Sequence, residues 1–211
     1  MPKPPEIPKK VSGLSKKLLE AAKKPKPAPP VWTVDPTLLL CQNTPQPMHS
    51  VVPREILGRA WWDKYRKEIY KSTDYHCQAC GIHKYEAKLR QWLEGHEVYE
   101  IDYVKGRMKF KGAVALCHCC HSYIHDGRLE NLLMLGKISH AKFSIIVQHG
   151  DAVLAKAGLV RPSKEEREEA IKKLVGSKAV ARWEDWRLEL NGKLYPPIYE
   201  NYAHWLKAMG H

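Results

Sequence analysis

Four cysteines in two pairs are the side chains of this sequence best suited to chemistry. Cys77 and Cys80 form one Cys-x-x-Cys pair, and Cys117 and Cys120 form a second after a long insertion. Two such pairs supply the four thiolates of a tetrahedral structural zinc ion. Thiolate zinc sites contribute folding free energy, on the order of 10 kcal/mol in isolated peptides. Cys119 is the alternative ligand to Cys117, but the two-residue spacer between Cys117 and Cys120 favours that pair.

Three histidines indicate a second site of a different kind. His121 and His125 directly follow the second cysteine pair and lie four positions apart. On a helix, that spacing places two imidazoles on one face, about one turn apart. His96 lies in the insertion, in the step Gly95-His96-Glu97. We therefore predict a cation held by nitrogen atoms, with His96 nearby, and such a cation can do chemistry.

A hairpin followed by a helix must position these side chains. Residues 93–102 and 108–116 show the apolar patterning of strands, and a glycine turn joins them. The first strand carries His96, and a helix is expected to begin at about Cys120. We assign residues 73–130 to this core.

Further elements are expected on both sides of the core. Residues 31–72 are predicted to be an N-terminal extension in which a helix begins near Pro53, because proline suits the first helical turn. Residues 131–211 are predicted to be a C-terminal extension. After the core helix we expect one or two helices over 128–160, with breaks near Gly136 and at His149-Gly150. A helix over 163–175 follows, with Ser163 and Glu166 as its capping box. The last expected elements are a hairpin around Asn191-Gly192 and a short helix near 199–208.

Charge and composition indicate the class of partner. The formal net charge of +12 favours a polyanion such as nucleic acid. Residues 1–30 are mostly Lys, Pro and Ala, which predicts a disordered, basic N-terminal tail. The sequence shows no signal peptide and no run of the roughly 20 apolar residues that a membrane span requires. We therefore expect a protein of a reducing cytoplasm with no membrane partner.

The order of these motifs resembles the HNH endonuclease family. The resemblance covers about residues 75–127, and the flanks at 54–62 and 186–192 are similar to phage and bacterial HNH-type proteins of this size. It implies an α+β fold with a small ββα-metal core and a four-cysteine zinc site, flanked by helices and a C-terminal hairpin. It also implies metal-dependent hydrolysis of DNA to 5′-phosphate and 3′-hydroxyl ends, in a bacterial host cytoplasm if a phage encodes the chain.

The resemblance also implies roles for individual residues. His96 would be the general base that takes a proton from water. His121 and His125 would bind one divalent cation, which could be Mg²⁺, Mn²⁺, Ni²⁺ or Zn²⁺, at the scissile phosphate. Contacts to DNA phosphates would come from four basic residues around the hairpin, Lys105, Arg107, Lys109 and Lys111.

The sequence departs from the family pattern in two places. Many members carry two adjacent active residues on the first strand, whereas here Gly95 precedes His96. We favour His96 as the base, with Glu97 orienting it or binding metal; alternatively, His96 is the ligand and Glu97 the base. The central Asn of the family has no match, because Gly112 or Ala113 occupies that region.

These departures keep other functions open. The main alternative is a noncatalytic, zinc-scaffolded module that binds nucleic acid or protein, and a third interpretation is an RNase. A single active site would cut one strand, so a double-strand break would require a homodimer or two visits. The many Glu residues of the helix over 163–175 suit packing or contact with a protein partner better than contact with DNA.

Overall fold

A long antiparallel hairpin is the central element of the fold. The computed structural model describes residues 32–40 and 44–209; the predicted tail over residues 1–30 and Cys41 lie outside the described residues. Strands β1 (Leu93–Asp102) and β2 (Arg107–Cys117) pair along their whole length, with His96 opposite Val114. The predicted hairpin is confirmed, and a bulge lies between Val98 and Tyr99.

A second, short hairpin extends the sheet. Strands β3 (Arg187–Leu190) and β4 (Lys193–Tyr195) are antiparallel, and β3 pairs in parallel with β2. The turn between them is Asn191-Gly192, with φ of +52° and +74°, as a two-residue hairpin turn with two left-handed residues requires. The result is a four-stranded sheet in the order β1-β2-β3-β4, so the chain is α+β as predicted.

Helices cover this sheet. The described α-helices are α1 (Pro53–Leu57), α2 (Arg59–Ser72), α3 (His118–Ile124), α4 (Asp126–Met134), α5 (His140–Lys156), α6 (Lys164–Val175) and α7 (Tyr202–Ala208). The predicted helix from Pro53 is interrupted at Gly58, whose φ of +86° leaves the helical region. The capping box of α6 is confirmed, because the side chain and backbone of Ser163 and Glu166 bond reciprocally. None of the described helices is long and apolar enough to cross a membrane.

Helix α3 begins earlier than the sequence suggested. It starts at His118 instead of about Cys120, because Cys117 is its N-cap and the Cys117 sulfur accepts a hydrogen bond from the Cys120 amide. Strand β2 therefore passes directly into the helix. This connection fixes the second cysteine pair and His121 on one rigid segment.

Helix α5 is continuous where the sequence predicted a break. The predicted interruption near Gly136 is confirmed, but the one at His149-Gly150 is wrong. Gly150 is buried inside α5, where a Cβ atom would lie 2.2 Å from Cδ2 of Tyr123 on α3. This glycine permits close approach of α5 to α3.

Two hydrophobic clusters hold the ends of the long hairpin. The first contains the cysteine pairs and joins the base of the hairpin to α3 and α5 through Leu116, Tyr123 and Ile146. The second joins the far end of the hairpin to β3 through Met108 and Leu188. The paired strands thus connect the two clusters, and the histidine-bearing part of β1 lies near the first.

Candidate metal centre

The two cysteine pairs meet as predicted. The Sγ atoms of Cys77, Cys80, Cys117 and Cys120 all lie within 4.8 Å of one another. The Cys80 and Cys117 sulfurs are 3.9 Å apart, close to the roughly 3.8 Å edge of a tetrahedron with Zn–S distances of about 2.3 Å. Hydrogen bonds from Cys117, Cys120 and Cys80 lower the pKa of the Cys77 thiol, whereas contacts with the other three sulfurs, followed by burial, raise the pKa of Cys120. The four cysteines are consistent with a structural zinc site.

Backbone hydrogen bonds explain why the pairs meet. The first knuckle turns at Gly81, whose φ is +77°, and Gly81 N donates to Cys77 O at 2.8 Å. Gln78 then attaches this knuckle to β2, because its amide donates to Ala115 O and its side-chain Oε1 accepts from Ala115 N, both at 2.8 Å. Cys119 lies outside the sulfur cluster, with its sulfur 3.9 Å from Lys88 O.

A further histidine, which the sequence reasoning missed, contacts the sulfur cluster. The Nε2 atom of His149 lies 3.4 Å from Cys120 Sγ and 3.8 Å from Cys117 Sγ. An imidazole N–H at this position can donate to a thiolate and stabilise its charge. His149 belongs to α5 and reaches the cysteines only through the packing of α5 on α3, so no local sequence signal indicates it.

The three predicted histidines also come together. Each of His96, His121 and His125 offers a ring nitrogen, and these atoms lie within 4.8 Å of one another. The ring centroids are 5.5 Å apart for His96 and His121, 5.0 Å for His96 and His125, and 4.9 Å for His121 and His125. His125 contributes from the junction of α3 and α4, just past the end of α3, and not from within one helix as expected.

The environment of these rings suits them to bind a cation. Burial, followed by the neighbouring imidazoles, lowers the pKa of His96 to about 3. Burial and the neighbouring His121 lower the pKa of His125 to about 4. Both rings are therefore neutral near pH 7 and offer lone pairs. The Nδ1 atom of His96 is buried and has no hydrogen-bond partner among the described residues, so a ligand there would satisfy it.

Glu94 is a second side chain that the sequence reasoning missed. His121 donates from Nδ1 to its Oε2 at 2.6 Å, and His118 donates from Nδ1 to its Oε1 at 2.9 Å. Burial alone would raise the pKa of Glu94, but these hydrogen bonds lower it well below its ordinary value. The resulting carboxylate fixes the His121 tautomer and leaves Nε2 free to bind a cation. Strand alternation was the available signal, because Glu94 lies two positions before His96.

The neighbours of His96 on β1 lie on the other face of the strand. A Cβ atom at Gly95 would lie 3.0 Å from Cζ2 of Trp62 on α2. The Oε1 atom of Glu97 lies 3.9 Å from Nη1 of Arg54 and is not part of the imidazole group. The structure therefore brings His96 to the other two histidines and directs Glu97 to Arg54.

The four predicted phosphate contacts lie toward the far half of the hairpin. Lys109 pairs with Glu100 in the register, four positions from His96, or roughly 13 Å along the strand. Three of these basic groups bond to carboxylates: Lys105 to Asp102 at 3.3 Å, Lys109 to Glu189 at 2.9 Å and Lys111 to Glu100 at 3.3 Å. Arg107 lies beside β3, and its Nη1 is buried.

Two other arginines lie closer to the imidazoles. After burial and His121, the charges of Arg128 and Arg54 contribute to the lowered pKa of His125. Arg128 is exposed on α4 and Arg54 is exposed on α1. These two cations therefore add positive charge on the His125 side of the site.

No family model, curated protein or solved structure matches this chain. The chemistry of the site therefore has to be argued from its own residues.

Proposed function

We propose that the chain is a metal-dependent endonuclease of the HNH type that hydrolyses DNA phosphodiester bonds. The observation that carries this proposal is the meeting of His96, His121 and His125 within 4.8 Å, on a hairpin and helix that a four-cysteine cluster holds together. A rigid cysteine-bound scaffold beside a nitrogen-rich site supplies one structural and one exchangeable metal position.

His121 and His125 are the residues that would hold the exchangeable cation. Glu94 orients His121, and the burial of His125 keeps its ring neutral. A bound divalent cation supplies positive charge beside a scissile phosphate and its departing 3′ oxygen. Arg54 and Arg128 add fixed positive charge for the phosphate backbone.

His96 takes the proton of the attacking water in this proposal. Its ring is neutral, and its buried Nδ1 has no partner among the described residues. A pKa of about 3 limits its strength as a base and would equally suit a third metal ligand. Metal affinity separates the two roles: a His96→Ala variant that keeps its cation but loses turnover has lost a base.

A noncatalytic zinc-scaffolded binder is the second candidate, and the register of the hairpin supports it. Ala113 lies opposite Glu97 and Gly112 lies opposite Val98. Neither position of β2 supplies the amide side chain that the family carries there, so the base would have no such partner to orient it.

Conversion of supercoiled plasmid to the nicked form, with Mg²⁺, Mn²⁺, Ni²⁺ or Zn²⁺ added in turn, tests the proposal. Wild type should nick, and its ends should be ligatable, as a 5′-phosphate and a 3′-hydroxyl require. His96→Ala should lose the activity, whereas His140→Ala should keep it, because His140 is an exposed imidazole at the start of α5. DNA binding without cleavage under all four cations would favour the noncatalytic binder.

A further inference from the structure

Two aromatic rings lie exposed on the segment between the first zinc knuckle and β1. Tyr85 is 63% exposed and Trp92 is 53% exposed. Exposed apolar surface concentrated in one short segment marks a binding surface more often than scattered single residues do. We propose that Tyr85 and Trp92 form a stacking platform for unpaired DNA bases, so that the imidazole site acts on DNA with unpaired bases in preference to fully paired duplex.

Neighbouring rings hold Tyr85 in place. Its ring centroid is 5.2 Å from that of His83, which in turn contacts His76 at 4.9 Å. The Lys84 ammonium lies 4.7 Å from the Tyr85 centroid and 4.0 Å from that of Tyr75. Tyr85 is therefore fixed from behind while much of its surface faces solvent, and a fixed ring loses little entropy when a base stacks on it.

Trp92 is linked by side-chain contacts to the imidazole site. The Arg90 guanidinium lies 5.1 Å from the Trp92 ring centroid, and its Nη1 is 3.5 Å from Oε1 of Glu94. Glu94 is the carboxylate that orients His121. Trp92 also lies four positions before His96, or roughly 13 Å along an extended chain, which is about four stacked nucleotides.

The same segment has the charge that a single-strand site requires. The Gln91 side chain donates to Tyr85 O at 3.1 Å, which holds the residue before Trp92 beside Tyr85. Residues 83–92 carry Lys84, Lys88 and Arg90 against one acid, Glu86. Rings interleaved with cations suit a strand whose bases stack and whose phosphates are anionic. The excess of cations favours an anionic strand over an apolar protein partner.

Fluorescence anisotropy with end-labelled DNA tests this inference. The binding of single strands is independent of the proposed function, and only their cleavage rests on it. The zinc-loaded full chain is titrated, without added divalent cation, with a single strand and with a blunt duplex of the same sequence. Loss of one base–aromatic stack should weaken single-strand binding by about 5- to 150-fold, for Tyr85→Ala and for Trp92→Ala. Duplex binding should change by less than about 2-fold, because phosphate contacts dominate it.

Conservative and remote variants keep the result interpretable. Tyr85→Phe and Trp92→Phe should bind the single strand nearly as wild type does, since they retain a ring. Tyr202→Ala removes a 51% exposed ring on α7 and should change nothing. Zinc content and circular dichroism check that each variant is folded.

Binding and cleavage separate failure of the platform from failure of the nuclease. If wild type cuts nothing but both alanine variants lose single-strand affinity, the stacking platform stands and the nuclease proposal falls. If wild type cuts DNA but the alanine variants bind and cut single strands as wild type does, the platform is overturned. Equal wild-type affinity for single strand and duplex would also overturn it.

Discussion

Replacing Gly150 with alanine sets two opposing effects against each other. In an exposed helix the change would stabilise the protein by about 1 kcal/mol, because alanine is the better helix former. At this position the new Cβ would lie 2.2 Å from Cδ2 of Tyr123, and ordinary contact begins near 3.4 Å. The ring or the helix would therefore have to move by roughly 1.2 Å, the difference between those distances.

The Tyr123 ring cannot move freely. It is fully buried, its hydroxyl donates to Asp151 Oδ1 at 2.6 Å, and the Arg161 guanidinium lies 4.1 Å from its centroid. Overpacking of this kind costs about 1–3 kcal/mol, and the fixed ring places Gly150→Ala at the upper end. After subtraction of the propensity gain, we expect a net destabilisation of about 2 kcal/mol.

Urea unfolding of the zinc-loaded protein, followed by circular dichroism, measures this change. Gly127→Ala on α4 is the matched control, because nothing lies within 4 Å of its new Cβ and the variant should be unchanged or slightly more stable. Gly150→Ala should also release zinc faster to a chelator, since α3 carries Cys120. A variant as stable as wild type would refute the close packing of α5 on α3.

Three further predictions concern the two metal positions. Glu94→Gln removes the charge that orients His121 and should weaken binding of the exchangeable cation by about 10- to 100-fold, with zinc content unchanged, as measured by calorimetry. Chelation of zinc, or Cys77→Ala, should abolish the cooperative thermal transition seen by circular dichroism; an unchanged transition would show that the thiolates do not hold the fold. Without divalent cations in the imidazole site, the free energy of unfolding should rise with pH between about 4 and 6.5. In the folded protein the pKa values of His96 and His125 are about 3 and 4. In the unfolded chain both rings take up protons at the ordinary pKa of 6.5, so lowering the pH favours unfolding. The slope is at most about 1.4 kcal/mol per pH unit per histidine, so His96→Gln should reduce it in urea titrations at several pH values.

Local sequence patterns predicted much of the fold. Strand alternation located β1 and β2, and Asn191-Gly192 identified the second hairpin turn, because only a few residues favour two left-handed conformations in succession. The capping box at Ser163 marked the start of α6. Cysteine spacing indicated the sulfur cluster because two knuckles offer four thiolates whatever the insertion between them does.

Long-range packing accounts for what the sequence did not predict. The sequence predicts a helix break at Gly150, yet this glycine permits the contact of α5 with Tyr123, and the same contact brings His149 to the sulfurs. The family resemblance predicts a phosphate contact for Lys109, but the parallel pairing of β2 with β3 supplies Glu189 as its partner. Such neighbours come from distant parts of the chain, so periodicity and spacing carry no signal for them.

The central claim is that His121 and His125 hold one exchangeable cation, with His96 beside it, next to a sulfur-bound zinc. Calorimetric titration of Ni²⁺ into the zinc-loaded protein, with zinc retention checked by elemental analysis, tests it most directly. We predict one Ni²⁺ per chain for wild type and none for a variant carrying both His121→Ala and His125→Ala. Wild type that binds no ion beyond its zinc, or a double variant that binds Ni²⁺ as wild type does, would contradict it.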